Sequence, residues 1–221
     1  MRGLLKKDWY VIKNLKKILI ILVLMIVFLM IGQQGNIEES VSFIMGYATI
    51  FSTIMVINVM EIDEKQKSNA FLFTLPVSRK EYVLEKYLFG ILMGLAAWLI
   101  SALSVTAIIC IRRADVQWIE LLVQGAAMLA LLFLMLGFEI PVQLKFGGEK
   151  GRIIVIATVM VLCLGVVSIA KMLEKRGIDW MGNLEWFVVQ SWSWIAMAAA
   201  VAAFFALSVL YSIHLIGKKE Y

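Results

Sequence analysis

Cysteine, proline and histidine are scarce in this sequence of 221 residues, which contains two, two and one of them respectively. Cys110 and Cys163 each lie inside or at the end of an apolar run, so they indicate neither a disulfide framework nor a metal-ligand pattern. With only two prolines, most of the chain is free to form long, uninterrupted helices. The single histidine, His214, falls near the end of an apolar run and is interpreted as an interface residue.

The sequence also lacks the short motifs that carry nucleotide, ester or zinc chemistry. No phosphate-binding loop of the form G-x-x-x-x-G-K-[ST] occurs, and the glycine-rich stretch 147–151 does not match it. Neither a Gly-x-Ser-x-Gly nor a His-Glu-x-x-His pattern is present. We therefore predict that this chain is not an enzyme and holds no cofactor or metal. Any ATP hydrolysis is expected from another polypeptide.

What the sequence has in abundance is apolar residues, at 62% of the chain with a mean hydropathy of +0.90. Soluble domains are roughly 45–50% apolar, and a helix needs roughly 20 apolar residues to span a bilayer. We predict an all-α integral membrane protein with six transmembrane helices in a single domain over residues 1–221. This prediction rests on six apolar runs, at about 18–34, 41–60, 87–111, 119–140, 153–170 and 191–216. The first and the fifth of these runs are short for a membrane span.

The positions of the basic residues predict the topology. With the N-terminus inside, 16 of the 21 lysines and arginines fall on inner segments, as the positive-inside rule expects. Both termini are then cytoplasmic, and the inner segments are 1–17, 61–86, 141–152 and 217–221. Segment 1–17 has apolar residues on one helical side and lysines on the other, which is typical of an interfacial elbow helix on an anionic leaflet. A disordered basic tail is the alternative.

Polar residues inside the runs are small and suit close helix packing, and a minority are candidates for lining a mildly polar path. Gly90-x-x-x-Gly94 opens the third run and favours close approach of a neighbouring helix. Tyr82 and Tyr87 are predicted at the inner interface, where amphipathic rings are favoured. The path-lining candidates are Thr49, Ser52, Thr53, Asn58, Trp98 and Ser101.

Ionisable residues are almost absent from the predicted membrane interior. Glu61 and Glu139 are expected at inner ends of spans, where a carboxylate reaches water. Glu139 is a candidate for pairing with Lys145 or with a partner protein. Because no ladder of buried acids is apparent, a proton- or sodium-driven secondary transporter is weakly supported.

The charged segment 61–86 between the second and third runs has the pattern of a short transverse helix followed by a new helix start. Ser68 is placed to cap the short helix, and Leu75-Pro76 ends it, since proline disfavours helix at the preceding residue. Ser78 and Glu81 form a capping box, with Val77 and Tyr82 spaced as its hydrophobic staple. The alternative is an ordinary solvated loop.

Two phrases of this sequence resemble the cytoplasmic loops of ABC exporter permeases of the type-2 class. One is LPVSRKEY at 75–82, followed by a long apolar helix, and the other is IPVQLKFGGEKGR at 140–152. The order of apolar runs extends the resemblance over essentially the whole chain. The group it resembles most is the phenol-soluble-modulin exporter permeases of Gram-positive bacteria.

This resemblance implies a type-2 exporter permease fold with short cytoplasmic coupling helices in 61–86 and 141–152. It implies two cytoplasmic ABC ATPase subunits that bind ATP and Mg, a second permease chain, identical or homologous, and surrounding lipids, with no nucleic acid. The location implied is the bacterial plasma membrane. The implied ATPase-coupling residues are Ser68, Asn69, Phe71, Phe73, Leu75, Pro76, Ser78, Arg79, Lys80, Glu81, Tyr82, Lys145, Phe146, Glu149 and Arg152.

The expected function is export of an amphipathic or hydrophobic substrate, with cytolytic or antimicrobial peptides favoured by the resemblance. Permeases for drugs, antibiotics, lipids or glycans are the alternatives within the class. A non-transporting accessory membrane subunit is a further alternative. A membrane-embedded enzyme would need polar residues converging at one depth, and the sequence gives no such pattern.

Overall fold

The computed structural model describes residues 7–10, 20, 37–65, 79–112, 118–175 and 191–218, and these are helical apart from Gly147. Residues 7–10 form a helical turn, which we call the N-terminal turn. Five long helices follow, and we number them in chain order. They are α1 (Ile37–Lys65), α2 (Arg79–Arg112), α3 (Trp118–Phe146), α4 (Gly148–Lys175) and α5 (Ser191–Lys218).

Four segments of these helices are long and apolar enough to cross a membrane, and every described residue except Gly147 is helical, which agrees with the predicted all-α membrane protein. They are Val41–Asp63, Lys80–Ile111, Leu121–Phe146 and Trp194–Gly217. The fifth predicted span lies within α4, which is 28 residues long. The first predicted span, 18–34, lies outside the described residues apart from Ile20, so the count of six stays a prediction.

The helices pack so that α1, α2 and α3 contact one another, with α5 against α2 and α3, and α4 against α1 and α3. One buried apolar cluster lies where α1 ends and α2 begins, and includes Met60, Tyr82, Leu144 and Ile216. We call this the α1–α2 end of the bundle. A second cluster joins the start of α1 to the end of α2. Large apolar side chains remain exposed on the outer faces, as expected in contact with lipid or another apolar surface.

The two glycines of the predicted close-packing motif do allow α2 and α3 to approach closely. A methyl group added at Gly90 would lie 2.9 Å from Leu136, and one added at Gly94 would lie 2.5 Å from Leu132. Both leucines are fully buried, so they have little room to move away.

We expect Gly94→Ala to force α2 and α3 apart and to destabilise the fold by about 1–3 kcal/mol, as overpacking does. Gly46→Ala on α1 is the matched control, since a methyl group there would meet nothing within 4 Å. Thermal unfolding in detergent, followed by tryptophan fluorescence, measures the difference. Equal midpoints for the two variants would show that the close contact has no energetic importance.

The predicted inner loop 141–152 is instead helical, with Gly147 alone separating α3 from α4. Pro141 is accommodated inside α3, and the helix ends where Gly147 and Gly148 adopt positive φ angles of 68° and 43°. Glycine adopts this left-handed region at little cost and commonly ends helices. The Gly147 amide donates to the Gln143 carbonyl at 2.8 Å. The loop prediction came from the end of the apolar run at about 140 and from the resemblance of 140–152, whereas the helix continues to the glycine pair.

Candidate functional site

Five charged side chains meet at the α1–α2 end of the bundle and form the most prominent polar feature of the described residues. The Lys86 ammonium is fully buried and donates to Asp63 Oδ2 at 2.8 Å and to Asp8 Oδ2. Lys7 donates to Asp63 Oδ1 at 2.7 Å, and Glu85 Oε2 lies 3.5 Å from Lys86 Nζ. We call Lys7, Asp8, Asp63, Glu85 and Lys86 the ion cluster.

The ion cluster joins three parts of the chain that are distant in sequence. Asp63 comes from the last turns of α1, Lys86 from the second turn of α2, and Asp8 from the N-terminal turn. Asp63 and Lys86 flank the segment 66–78, which lies outside the described residues. Any force applied to that segment therefore reaches two apolar helices whose ends are tied together by buried ion pairs.

Burial makes these pairs energetically important. Each buried ion costs several kcal/mol of desolvation, which only close partners offset, and loss of one partner leaves the other uncompensated. Two formal positive charges face three negative ones, so Lys86 is the central cation among carboxylates. The arrangement holds the N-terminal turn and the ends of α1 and α2 in one geometry.

The ion cluster was not apparent in the sequence, where residues 61–86 form a charged inner segment with a short transverse helix and a new helix start, and Asp8 belongs to the separate segment 1–17. The structure extends α1 to Lys65 and starts α2 at Arg79, so the charged ends of both helices pack inward. A signal was present in the spacing. Val56, Met60 and Asp63 lie on one helical face of α1, and Val83 and Lys86 share one face of α2, so each charge lies in line with buried apolar residues.

A second ion pair ties α4 to α1 at the same end of the bundle. Arg152 Nη1 donates to Glu61 Oε2 at 3.0 Å. Glu61 is only 4% exposed, which corrects the expectation that it reaches water. Beside it, Gln143 Nε2 donates to the Gly148 carbonyl at 3.0 Å, which fixes the α3–α4 corner.

A buried hydroxyl network joins α2, α3 and α5. The Tyr87 hydroxyl shares hydrogen bonds with Ser208 Oγ at 2.6 Å and Ser212 Oγ at 2.9 Å, and Ser208 Oγ also donates to the Gly137 carbonyl. Tyr87 and Tyr82 are 3% and 2% exposed, so their rings lie inside the bundle rather than on its lipid-facing surface. The Tyr87 hydroxyl finds its polar partners there, and the Lys86 ammonium lies 5.3 Å from the centroid of the Tyr82 ring.

The predicted coupling residues are only partly described. Tyr82 is buried, whereas Lys80, Lys145, Phe146 and Glu149 are exposed at or near the ends of α2, α3 and α4. Lys145 lies over the Phe146 ring, 5.3 Å from its centroid, so it does not reach Glu139. Glu81 is half-buried, and of Arg79 only the helical backbone is described. The other coupling candidates lie outside the described residues: Ser68, Asn69, Phe71, Phe73, Leu75, Pro76 and Ser78.

Five of the six candidate path-lining residues use their polar groups in hydrogen bonds to backbone carbonyls. The hydroxyls of Thr49, Ser52, Thr53 and Ser101 donate to carbonyls of their own helices, at 2.7–2.9 Å. Trp98 Nε1 donates across to the Gly125 carbonyl of α3 at 3.0 Å, as expected for a packing residue. Asn58 is half-buried on α1.

Comparison with known proteins identifies the family but no individual relative. Residues 3–217 match the family described as ABC-2 family transporter protein. No curated protein and no solved structure matches this chain. The match covers nearly the whole chain and agrees with its apolar helices. The chain therefore belongs to the ABC-2 family of transporter proteins, as a membrane component of the permease type.

Proposed function

We propose that this chain is the permease subunit of an ATP-driven exporter and that a separate ATPase drives it through the segment 66–78. Membership of the ABC-2 family supports the permease role. The observation that carries the coupling proposal is the Lys86–Asp63 pair of 2.8 Å. It ties together the two membrane helices that enter and leave this segment.

Force transmission follows from the rigidity of this end of the bundle. A push on the segment 66–78 moves α1 and α2 together, because the ion cluster resists their separation. The Glu61–Arg152 pair and the α3–α4 corner extend the connection to α3 and α4. On this proposal α1 to α4 move together when the permease switches access from one side of the membrane to the other, and no single loop deforms on its own.

The proposed assembly contains two cytoplasmic ATPase subunits, which bind ATP and Mg, and a second permease chain, identical or homologous. We place both termini in the cytoplasm of a bacterial cell, with six spans, residues 1–17 as an interfacial elbow, a coupling helix within 61–86, and the α3–α4 corner in 141–152 as the second contact with the ATPase. Exposed apolar side chains on α5, including Leu207, Leu210 and Tyr211, supply a surface for lipid or the second permease chain.

The proposed substrate is amphipathic or hydrophobic, such as a cytolytic or antimicrobial peptide of the phenol-soluble-modulin type. Support comes from the loop phrases at 75–82 and 140–152 and from the apolar character of the cavities. One cavity of about 410 Å³ between α3 and α5 is lined by alanine, leucine, valine and phenylalanine side chains. Drugs, antibiotics, lipids or glycans remain alternatives within the class, and an accessory subunit without transport is the alternative outside it.

Purification in mild detergent tests whether the chain binds an ABC ATPase and which of the two polypeptides hydrolyses ATP. The affinity-tagged chain should co-purify with an ABC ATPase and with Mg-dependent ATP hydrolysis. After the ATPase is stripped away, the remaining chain should hydrolyse no ATP, because it has no phosphate-binding loop. Hydrolysis by the stripped chain would refute the assignment. Recovery of the intact chain with no ATPase bound to it would favour the role of accessory subunit.

A further inference from the structure

A crevice of about 200 Å³ lies between α1, α3 and α4 and has one carboxyl group in its wall. Its lining is apolar except for Thr53, Glu139 and Arg152. The apolar part of the wall comprises Ile50, Ile54, Ile57, Met135, Val155, Ile156, Val159 and Met160.

Glu139 is the unusual member of this wall. It is 4% exposed and lies seven residues before the end of α3, which is roughly 10 Å along a helix. Its Oε2 atom is buried and has no hydrogen-bond partner within the described part of the chain, while the Thr53 hydroxyl lies beside the carboxyl group. A buried carboxyl in a membrane segment is expensive and is by default a functional candidate. The expectation that Glu139 reaches water at a span end is therefore wrong.

The nearby cations do not neutralise Glu139. Arg152 also lines the crevice, but its guanidinium pairs with Glu61 at 3.0 Å. Lys145 is exposed and lies over the Phe146 ring. Among the described residues, no basic side chain forms an ion pair with Glu139, so the crevice lacks a counter-ion for its acid.

The mouth of the crevice faces the outer surface of the helix bundle. Ile50 and Ile54 on α1, and Ile156 and Met160 on α4, line the crevice and are 40–59% exposed. A molecule in the apolar phase around the bundle therefore has lateral access to the acid. A metal ion is a poor occupant, because one carboxyl among apolar walls lacks the several oxygen ligands that hard cations require.

We propose that this crevice binds an amphipathic organic cation, with Glu139 as the counter-ion of its ammonium or guanidinium head and the apolar walls around its chain. This inference rests on the proposed function and narrows it, because it names cationic amphiphiles as the substrate class. A neutral lipid would occupy the space between the apolar walls but give the Glu139 carboxyl no cationic partner, so the crevice discriminates by head-group charge.

Binding to the full chain in nanodiscs tests the crevice without the ATPase. The probes are a dansyl-labelled long-chain primary amine and the matched long-chain alcohol, with saturable fluorescence measured above that of empty nanodiscs. Glu139→Gln keeps the size of the side chain and removes its charge. We expect it to weaken binding of the amine by about tenfold or more, since a charge-assisted contact is lost, and to leave the alcohol unchanged.

Filling the crevice provides a second, independent variant. Ile54→Trp should weaken binding of both probes, whereas Leu122→Trp, on an exposed position of α3 outside the crevice lining, should weaken neither. Equal amine binding by wild type and Glu139→Gln would overturn the proposal, as would loss of both probes from Leu122→Trp. If amine binding fails this test while the ATPase still co-purifies with the chain, the crevice assignment falls and the permease function stands.

Discussion

Lys86→Met is expected to destabilise the protein by about 3–5 kcal/mol, because it leaves buried carboxylates without their central cation. Methionine retains most of the volume of the lysine stem, so the loss reports on charge rather than on packing. Of the two lysines of the ion cluster, Asp8 and Asp63 would then keep Lys7. Thermal unfolding in detergent should show a large fall in midpoint, and the fraction of monodisperse protein should fall with it.

Two further variants separate the ion cluster from a general loss of charge. Lys80→Met removes an exposed lysine from the same helix and should change the midpoint little. Asp63→Asn combined with Lys86→Met should cost less than the two single changes added together, since both members of one pair are then absent. A Lys86→Met midpoint equal to that of Lys80→Met would show that the cluster does not hold the helices together.

Phe71→Ala or Phe73→Ala is expected to uncouple transport from ATP hydrolysis while the chain remains inserted. Both residues lie outside the described part of the chain, and the argument for them comes from sequence. Lysines and an arginine flank them, so the segment is kept out of hydrocarbon and its two aromatic rings are predicted to form a binding surface. Loss of an aromatic anchor typically costs about 2 kcal/mol or more of binding, which is roughly thirtyfold in affinity.

The recovery of ATPase with each tagged variant, together with substrate export, measures this effect. Leu72→Ala is a matched control, because it truncates an apolar side chain between the two rings. It is expected to retain ATPase recovery close to wild type. If the rings only dip into the inner leaflet, alanine would change membrane association and leave ATPase recovery intact. Wild-type recovery and wild-type export in both phenylalanine variants would eliminate the coupling assignment.

Long apolar runs were sufficient to predict most of the helices, because a helix is the way an isolated apolar segment satisfies its backbone in lipid. Four membrane segments follow the predicted runs closely. The close approach of a neighbouring helix at Gly90 and Gly94 also followed from sequence, and the structure identifies that neighbour as α3, whose Leu136 and Leu132 fill the space. Patterns of this kind depend on residues that are close in sequence, so they can be recognised without the tertiary structure.

The ion cluster did not follow in the same way, because its members are far apart in sequence. Asp8 and Lys86 are separated by 78 positions, and only the packing of three segments brings them together. Charged residues next to an apolar run are usually solvated, so the basic and acidic ends of α1 and α2 were assigned to water. The helical phase of Asp63 and Lys86 was the one available sign of burial.

Glu139 shows the same limitation inside a single helix. The apolar run ends at about 140, which placed Glu139 at the end of a span, and a carboxylate at a span end is expected to reach water. The structure continues α3 to Phe146, because Gly147 and not Pro141 ends the helix. The carboxyl is thereby buried, and its surroundings depend on α1 and α4, which no local motif specifies.

Transport into inverted membrane vesicles tests the central claim most directly. Vesicles that contain the chain and its ATPase should accumulate a labelled amphipathic peptide only when ATP and Mg are supplied. Accumulation should stop with a non-hydrolysable ATP analogue and should survive a protonophore. Uptake that proceeds without ATP and collapses with the protonophore would contradict an ATP-driven permease and would indicate a secondary transporter.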